Sequence, residues 1–125
     1  MTFPYVDGEP MVKLEMEARS GEWLEFMAYV DSGASYSVFY SDHARVLGIA
    51  LKTGKSMRLM VGDGTTITVY LHKVKVKFAG KEFVAEVSFS DDLKIGMNLL
   101  GQRTYFENFT FCFKTWDNIL EVISK

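Results

Sequence analysis

Apolar and polar side chains alternate along the first part of the chain in the manner of β-strands. Residues 11–18 and residues 23–30 each place an apolar side chain at every second position, and a polar stretch at 19–22 separates them. A period of two is typical of strands that bury one face. The pattern therefore predicts a hairpin whose second strand ends immediately before Asp31.

A second hairpin is predicted from the alternation in residues 57–61 and 67–71. Gly62, Asp63, Gly64 and Thr65 lie between the two runs, and the glycines give this tip a backbone freedom that other residues lack. The tip could fold over a cleft, or it could be an ordinary hairpin end. Met57 and Met60, close to the tip, could line a pocket there.

The rest of the chain predicts more strands and one or two short helices. Residues 42–47 are expected to form a helix, with Ser41 as its N-cap and Gly48 at its C-terminal end. A second helix is expected near residues 102–107. The other alternating segments, expected to form two strand pairs, are 74–78 with 83–89 and 109–114 with 119–123. Lys73, Lys75 and Lys77 are expected on a solvated strand face. These segments predict a mainly β protein.

Composition and charge narrow the possible functions. The chain has 125 residues, 48% of them hydrophobic and 14% aromatic, which predicts one ordinary globular domain over residues 1–125 with a single core. A net charge of −2 without a basic patch predicts no nucleic-acid partner. No apolar run approaches the length of a membrane span and no leader pattern is present, so we expect a cytoplasmic protein. Cys112 is the only cysteine, which excludes an internal disulfide.

The strongest chemical signal is the tripeptide Asp31-Ser32-Gly33, which has apolar residues on both sides. Burying a carboxylate without a partner is costly, so such a position usually has a functional reason. The Ser32 hydroxyl can hydrogen-bond across the turn, and Gly33 allows a close backbone approach. The tripeptide alone could be a β-turn between hairpin strands. Its apolar flanks favour an aspartic peptidase.

Three segments, taken in order, resemble those of the retropepsin-like aspartic proteases, the single-lobe relatives of pepsin. Residues 30–35 match the catalytic loop, residues 61–65 match the flap tip, and residues 98–102 match an apolar-apolar-Gly strand that precedes a short helix. The resemblance spans most of the chain. It implies a closed, β-barrel-like acid protease fold with one lobe per chain.

The same resemblance implies roles for individual residues. Those of the catalytic motif would be Asp31, Ser32 and Gly33. Those that bind substrate would be Ala34, Ser35, Val61, Gly62, Asp63 and Gly64. Those that support the catalytic loop would be Leu99, Leu100, Gly101 and Gln102.

Two positions depart from the retroviral pattern, in which a second Asp of the catalytic loop pairs with an Arg after the apolar-apolar-Gly motif. Here the matching residues are Ser35 and Gln102, both neutral but able to form hydrogen bonds. Arg103 lies one residue further on and could substitute for the missing Arg. The C-terminal strand at 119–123 goes beyond the shortest retroviral chains, so the dimer interface is expected to differ from theirs.

Aspartic peptidase chemistry requires two carboxylates that share one proton, because one activates a water while the other polarises the scissile carbonyl. The chain contains one Asp-Ser-Gly and no internal repeat. An active enzyme is therefore expected to be a homodimer with Asp31 from each subunit on the two-fold axis. The expected substrate is an extended peptide or unfolded protein, and the expected optimum is acidic or mildly acidic.

Other chemistries have weaker support. His43 and His72 lack the spacing of metal ligands, and Cys112, between two phenylalanines, resembles a buried strand residue more than a nucleophile. We therefore expect no metal and no cofactor. The serious alternative is a noncatalytic dimeric module that keeps the fold and binds peptides, because fold does not establish function.

Overall fold

The structure is a computed structural model, and it describes residues 1–62 and 64–125. The strands are β1 (Thr2–Pro4), β2 (Met11–Glu17), β3 (Trp23–Val30), β4 (Ser37–Tyr40), β5 (Lys55–Met60), β6 (Thr66–Phe78), β7 (Lys81–Ser90), β8 (Leu99–Leu100), β9 (Phe109–Lys114) and β10 (Ile119–Ser124). The helices are α1 (Ser41–Leu47) and α2 (Tyr105–Asn108), with 3-10 turns at Leu51–Thr53 and Thr115–Asp117.

The described strands form a larger sheet that closes on itself and a smaller sheet at the chain ends. The larger sheet has the order β2-β3-β8-β4-β7-β6-β5, and an additional pairing of β2 with β6 closes it. The smaller sheet has the order β1-β10-β9. The mainly β, closed and barrel-like architecture predicted from the sequence is confirmed.

Alternation explains the first hairpin directly. Val12, Leu14 and Met16 are buried on the inner face of β2, opposite Ala28, Phe26 and Leu24 of β3. Burial of such side chains contributes about 1.5–3 kcal/mol each, which fixes the register because a slip by one residue would expose all of them. The same reasoning holds for the hairpin of β9 and β10, which was also predicted.

The second predicted hairpin is present, but its return strand is longer than predicted. β5 pairs with β6 from Met60↔Thr66 to Lys55↔Leu71, and β6 then continues through Phe78 as the partner of β7. The two strands predicted at 67–71 and 74–78 are therefore one strand. The buried residues switch from odd positions to even ones because the first half of β6 packs in a small cluster with Val38 and the second half packs in the main core.

Three local predictions need correction. Ser41 is the first residue of α1 and not its N-cap, and its hydroxyl donates a hydrogen bond to the Asp91 carboxylate. The second helix begins at Tyr105 and not at Gln102. Cys112 is half-buried on β9. By contrast, Gly48 ends α1 as predicted, in the left-handed conformation at φ 77°.

Strand β1 was not predicted from the sequence. β1 covers the edge of β10, with Phe3 opposite Leu120. The ring of Phe3 stacks on Phe78 at a centroid distance of 5.8 Å. Three residues are too short to show a periodic pattern, so pairing with a distant strand decides the conformation of this segment.

Candidate active site

Asp31 stands at the end of β3, and the backbone around it fixes its carboxylate. Its N–H donates to the Leu100 carbonyl at 3.0 Å, and the Ala34 N–H donates to its carbonyl at 3.2 Å. The Gly33 N–H donates to its carboxylate Oδ1 at 2.9 Å. Asp31 is half-buried, and Ser32 and Gly33 are exposed. The turn thus presents a carboxylate in a defined orientation at the surface of a single chain.

Strand β8 lies beneath this turn. It runs parallel to β3, with Tyr29 opposite Leu99 and Val30 opposite Leu100, and it meets β4 on its other side. Leu99 and Leu100 are both buried. Their pairing holds the last residues of β3 in place, so the position of Asp31 depends on a strand about 70 residues later in the chain.

Gly101 follows β8 at a point where the backbones pack too closely for a side chain. A Cβ atom there would lie 2.5 Å from the carbonyl carbon and oxygen of Tyr36 and 2.9 Å from the carbonyl oxygen of Ala34. The Gly101 N–H donates to the buried Ser37 hydroxyl at 2.9 Å. A glycine is therefore required at this position by close approach and not by a positive φ.

Gln102 and Arg103 tie the turn at Asp31-Ser32-Gly33 to the start of α2. Their backbone N–H groups donate to the carbonyls of Ala34 at 2.8 Å and Ser35 at 2.9 Å. The Gln102 side-chain amide donates to the Ser32 carbonyl at 2.5 Å. The Arg103 guanidinium lies over the Tyr36 ring at 5.1 Å and 3.8 Å from the Glu86 carboxylate. Gln102 thus binds the backbone of the turn through neutral hydrogen bonds, and the Arg103 side chain points to other partners.

Asn98 links the elements behind the site. Its Oδ1 accepts from the Tyr40 N–H at 3.1 Å, and its Nδ2 donates to the Met27 carbonyl at 2.9 Å. The same Nδ2 lies 3.3 Å from His43 Nε2, which must accept because Nδ2 can only donate. Asn98 is only 7% exposed, and its partly buried bonds connect β3, β4 and α1.

His43 packs inward from α1 and is not a purely surface residue. Its ring lies 4.9 Å from the Phe26 ring. Burial lowers the pKa of His43, and the nearby Asp42 carboxylate opposes that shift only partly. Burial and the donor from Asn98 both favour the neutral ring.

A cavity of about 490 Å³ lies next to the Asp31 carboxylate. The turn that begins at Asp31 and strand β4 supply Asp31, Gly33, Ala34, Ser35, Tyr36 and Val38. Strand β8 supplies Leu99, and the β5 end of the hairpin supplies Leu59, Met60, Val61 and Gly62. Asp31 is the one ionisable carboxylate among these lining residues. The cavity can take apolar groups beside a single carboxylate.

Most residues that the sequence indicated meet at this cavity. Asp31, Gly33, Ala34, Ser35, Val61 and Gly62 line it, and Leu99, expected only as support, lines it too. Leu100, Gly101 and Gln102 lie beneath the turn. Gly64 is exposed at the hairpin tip, and Asp63 falls outside the described residues.

The sequence reasoning did not assign roles to Tyr36, Val38 and Leu59, which line the cavity, or to Asn98 behind it. The alternation of Ala34, Tyr36 and Val38 could have indicated that Tyr36 and Val38 lie on the same side as Ala34. Met60 had been noted as a possible pocket residue and lines the cavity, whereas Met57 packs in the small cluster under the hairpin.

Within residues 1–62 and 64–125, no group of His, Cys, Asp and Glu side chains is arranged to hold a metal ion. In the same described residues, no helix has the length and apolar character needed to cross a membrane.

Comparison with known proteins shows the fold. No protein-family model and no curated protein sequence matches the chain. Among solved structures, a retropepsin-like aspartic protease from Rickettsia conorii matches 98% of this chain and 97% of its own, with 18% identity and a TM-score of 0.68. The protease of EIAV, complexed with the inhibitor HBY-793, matches 78% of this chain and 85% of its own, with 18% identity and a TM-score of 0.56. The chain therefore has the single-lobe fold of retropepsin-like aspartic proteases, as the sequence resemblance predicted.

Proposed function

We propose that the protein is an aspartic endopeptidase that acts as a homodimer, with Asp31 of each subunit forming the catalytic dyad. The observation that carries this proposal is the position of the Asp31 carboxylate, held by the Gly33 N–H and open to a largely apolar cavity beneath a hairpin. A structural Asp-Ser-Gly turn has no need of such a cavity.

The need for a second subunit follows from the chemistry. Hydrolysis by this route uses one ionised and one protonated carboxyl group, and each chain supplies one Asp-Ser-Gly. A two-fold axis beside Asp31 would bring the two carboxyl groups together. Ser32, exposed next to Asp31, would then contribute its hydroxyl across the interface.

In the proposed reaction, the ionised Asp31 takes a proton from a water whose oxygen attacks the scissile carbonyl carbon. The protonated Asp31 of the other subunit donates its proton to the carbonyl oxygen, which gives a tetrahedral diol. The diol then returns a proton to a carboxylate as its C=O re-forms. The C–N bond breaks, and the amine nitrogen leaves with a proton from the other carboxyl group. The dyad ends with one proton, as it began.

The peptide is proposed to lie extended in the cavity. Ala34 and Ser35 on the turn and Val61, Gly62, Asp63 and Gly64 in the hairpin tip would contact it, and the peptide would form strand-like backbone hydrogen bonds. Closure of the tip would exclude water from the reacting bond.

The proposal is tested by incubating a diverse mixture of unstructured peptides with the wild type and with Asp31→Asn from acidic to neutral pH. Asp31→Asn keeps the shape of the side chain and removes the base. The dimer content of both proteins is verified by sedimentation and matched.

Cleavage by the wild type alone, strongest at acidic pH, would support the peptidase. If both proteins are folded dimers that bind peptides and neither cleaves them, the noncatalytic peptide-binding module replaces it. Equal cleavage by both would exclude Asp31 as a catalytic residue.

A further inference from the structure

We infer that Gln102 is a positioning residue whose uncharged amide holds the catalytic turn in the same geometry at every pH at which the enzyme works. The inference rests on the proposed peptidase function. It concerns how this chain replaces the loop-to-helix ion pair of the retroviral pattern, for which Ser35 and Gln102 are the matching residues.

The contact involves the central residue of the catalytic motif. Gln102 Nε2 donates to the carbonyl oxygen of Ser32 at 2.5 Å. That carbonyl belongs to the peptide group whose N–H is on Gly33, and this N–H donates to the Asp31 carboxylate at 2.9 Å. One peptide group therefore joins the Gln102 amide to the Asp31 carboxylate. Rotation of this peptide group would move the carboxylate's hydrogen-bond donor.

Gln102 itself is fixed on both sides. Its backbone N–H donates to the Ala34 carbonyl at 2.8 Å, and its carbonyl accepts from the Phe106 N–H at 2.9 Å. The side chain therefore reaches Ser32 from an anchored backbone, and forming the bond costs the rotamer freedom of the Gln102 side chain alone. Ser32 and Gln102 are both exposed in the single chain, so the bond competes with water and its effect on the rate is moderate.

An uncharged contact between Gln102 and Ser32 does not depend on pH in the acidic range. A dyad with one shared proton works best at acidic pH, where a carboxylate of an ion pair would begin to gain a proton. An amide that donates to a carbonyl has no group that titrates in this range. The hydrogen bond between Gln102 and Ser32 therefore persists at acidic pH, at which an ion pair would weaken.

The test compares Gln102→Glu with the wild type across pH. A protonated Glu can donate its O–H to the Ser32 carbonyl, whereas an ionised Glu has no proton to donate and repels that oxygen. We expect kcat of Gln102→Glu to be close to wild type at low pH. It should fall about 3- to 10-fold below wild type as pH rises through the ordinary Glu pKa of about 4.3. KM should change less than about twofold, because the bond acts on the turn and not on the substrate.

Two further variants complete the design. Gln102→Met has similar length and no donor, so its kcat should be about 3- to 10-fold low at every pH. Asn108→Asp is the matched control, since the Asn108 amide also donates to a backbone carbonyl, that of Thr104, the residue just before α2. The ratio of the kcat of Asn108→Asp to that of wild type should not change with pH. Thermal unfolding checks that each variant is folded.

A kcat ratio that falls with pH for Gln102→Glu alone would support the inference. Identical pH dependence in Gln102→Glu and Asn108→Asp, or a Gln102→Met variant with wild-type kcat, would overturn it while leaving the peptidase proposal intact. If the wild type itself cleaves no peptide, the proposed function fails, and the positioning role fails with it.

Discussion

Replacing Gly101 by Ala should destabilise the protein and displace the catalytic turn. The added Cβ would lie 2.5 Å from backbone atoms of Tyr36 and 2.9 Å from the Ala34 carbonyl oxygen. Ordinary contacts are about 1 Å longer, and backbone atoms cannot rotate away as a flexible side chain can. The segment at 34–36 must therefore move by a distance comparable to the tolerance of a catalytic geometry.

The magnitude follows from three contributions. Overpacking of this kind costs about 1–3 kcal/mol. Weakening of the hydrogen bond from Gly101 N–H to the buried Ser37 hydroxyl costs about 1 kcal/mol more. Ala restricts the unfolded chain, which offsets about 0.4–1 kcal/mol. The net loss is about 2 kcal/mol, or about 8 °C in the unfolding midpoint for a chain of this size.

The assay is thermal unfolding of Gly101→Ala and of a matched control, Gly62→Ala. An added Cβ at Gly62 meets no heavy atom within 4 Å, so this variant should unfold at or slightly above the wild-type temperature. At temperatures where Gly101→Ala is still folded, its rate of peptide cleavage should be about 100-fold or more below that of wild type, since a 1 Å displacement of the turn is enough for that loss. A Gly101→Ala variant that unfolds within about 2 °C of wild type would refute the reasoning.

Three further predictions concern the surroundings of the site. The pKa of His43 is lowered in the fold, so its contribution to stability is present above the unfolded pKa of about 6.5 and is lost as pH falls through the folded pKa. His43→Gln keeps an acceptor for Asn98 and does not titrate, so its free energy of urea unfolding should lack this part of the pH dependence. The same dependence of unfolding free energy on pH in both proteins would contradict the prediction. Asn98→Ala should lower the free energy of unfolding by about 2 kcal/mol, because it leaves half-buried partners of Asn98 unsatisfied. A loss under about 1 kcal/mol in urea unfolding would count against this network. Met60 is 76% exposed and lines the cavity, so Met60→Ser should raise KM for apolar peptides about threefold and leave the unfolding midpoint unchanged; an unchanged KM would remove Met60 from the substrate site.

The strand pattern and the position of the catalytic turn could be predicted because the relevant signals are local. Alternation in β2 and β3 places Val30 at the end of a buried strand, and Asp31 follows it. The order of the catalytic loop, hairpin tip and Leu99-Leu100-Gly101 also indicated which segments meet. These inferences depend on neighbours in sequence or on the order of segments.

Features decided by distant contacts could not be predicted. The buried face of β6 changes between Val69 and Val74 because two different clusters cover its halves. In the sequence alone, this change of alternation looks like the end of one strand and the start of another. Ser41 is a residue type typical of an N-cap, but its hydroxyl donates a hydrogen bond to the Asp91 carboxylate instead. The role of Asn98 depends on Met27 and His43, which become its neighbours only in the folded chain.

The proposed active site is shared between two copies of Asp31, and subunit mixing tests this sharing most directly. Wild type is mixed with an equal amount of folded Asp31→Asn and left to exchange subunits, and cleavage is compared with that of the same amount of wild type alone. Random exchange places about half of the wild-type chains in mixed dimers, which hold only one of the two carboxylates, so activity should fall to about half. If activity is unchanged after exchange has been verified, each chain works with its own carboxylate, and the shared dyad is wrong.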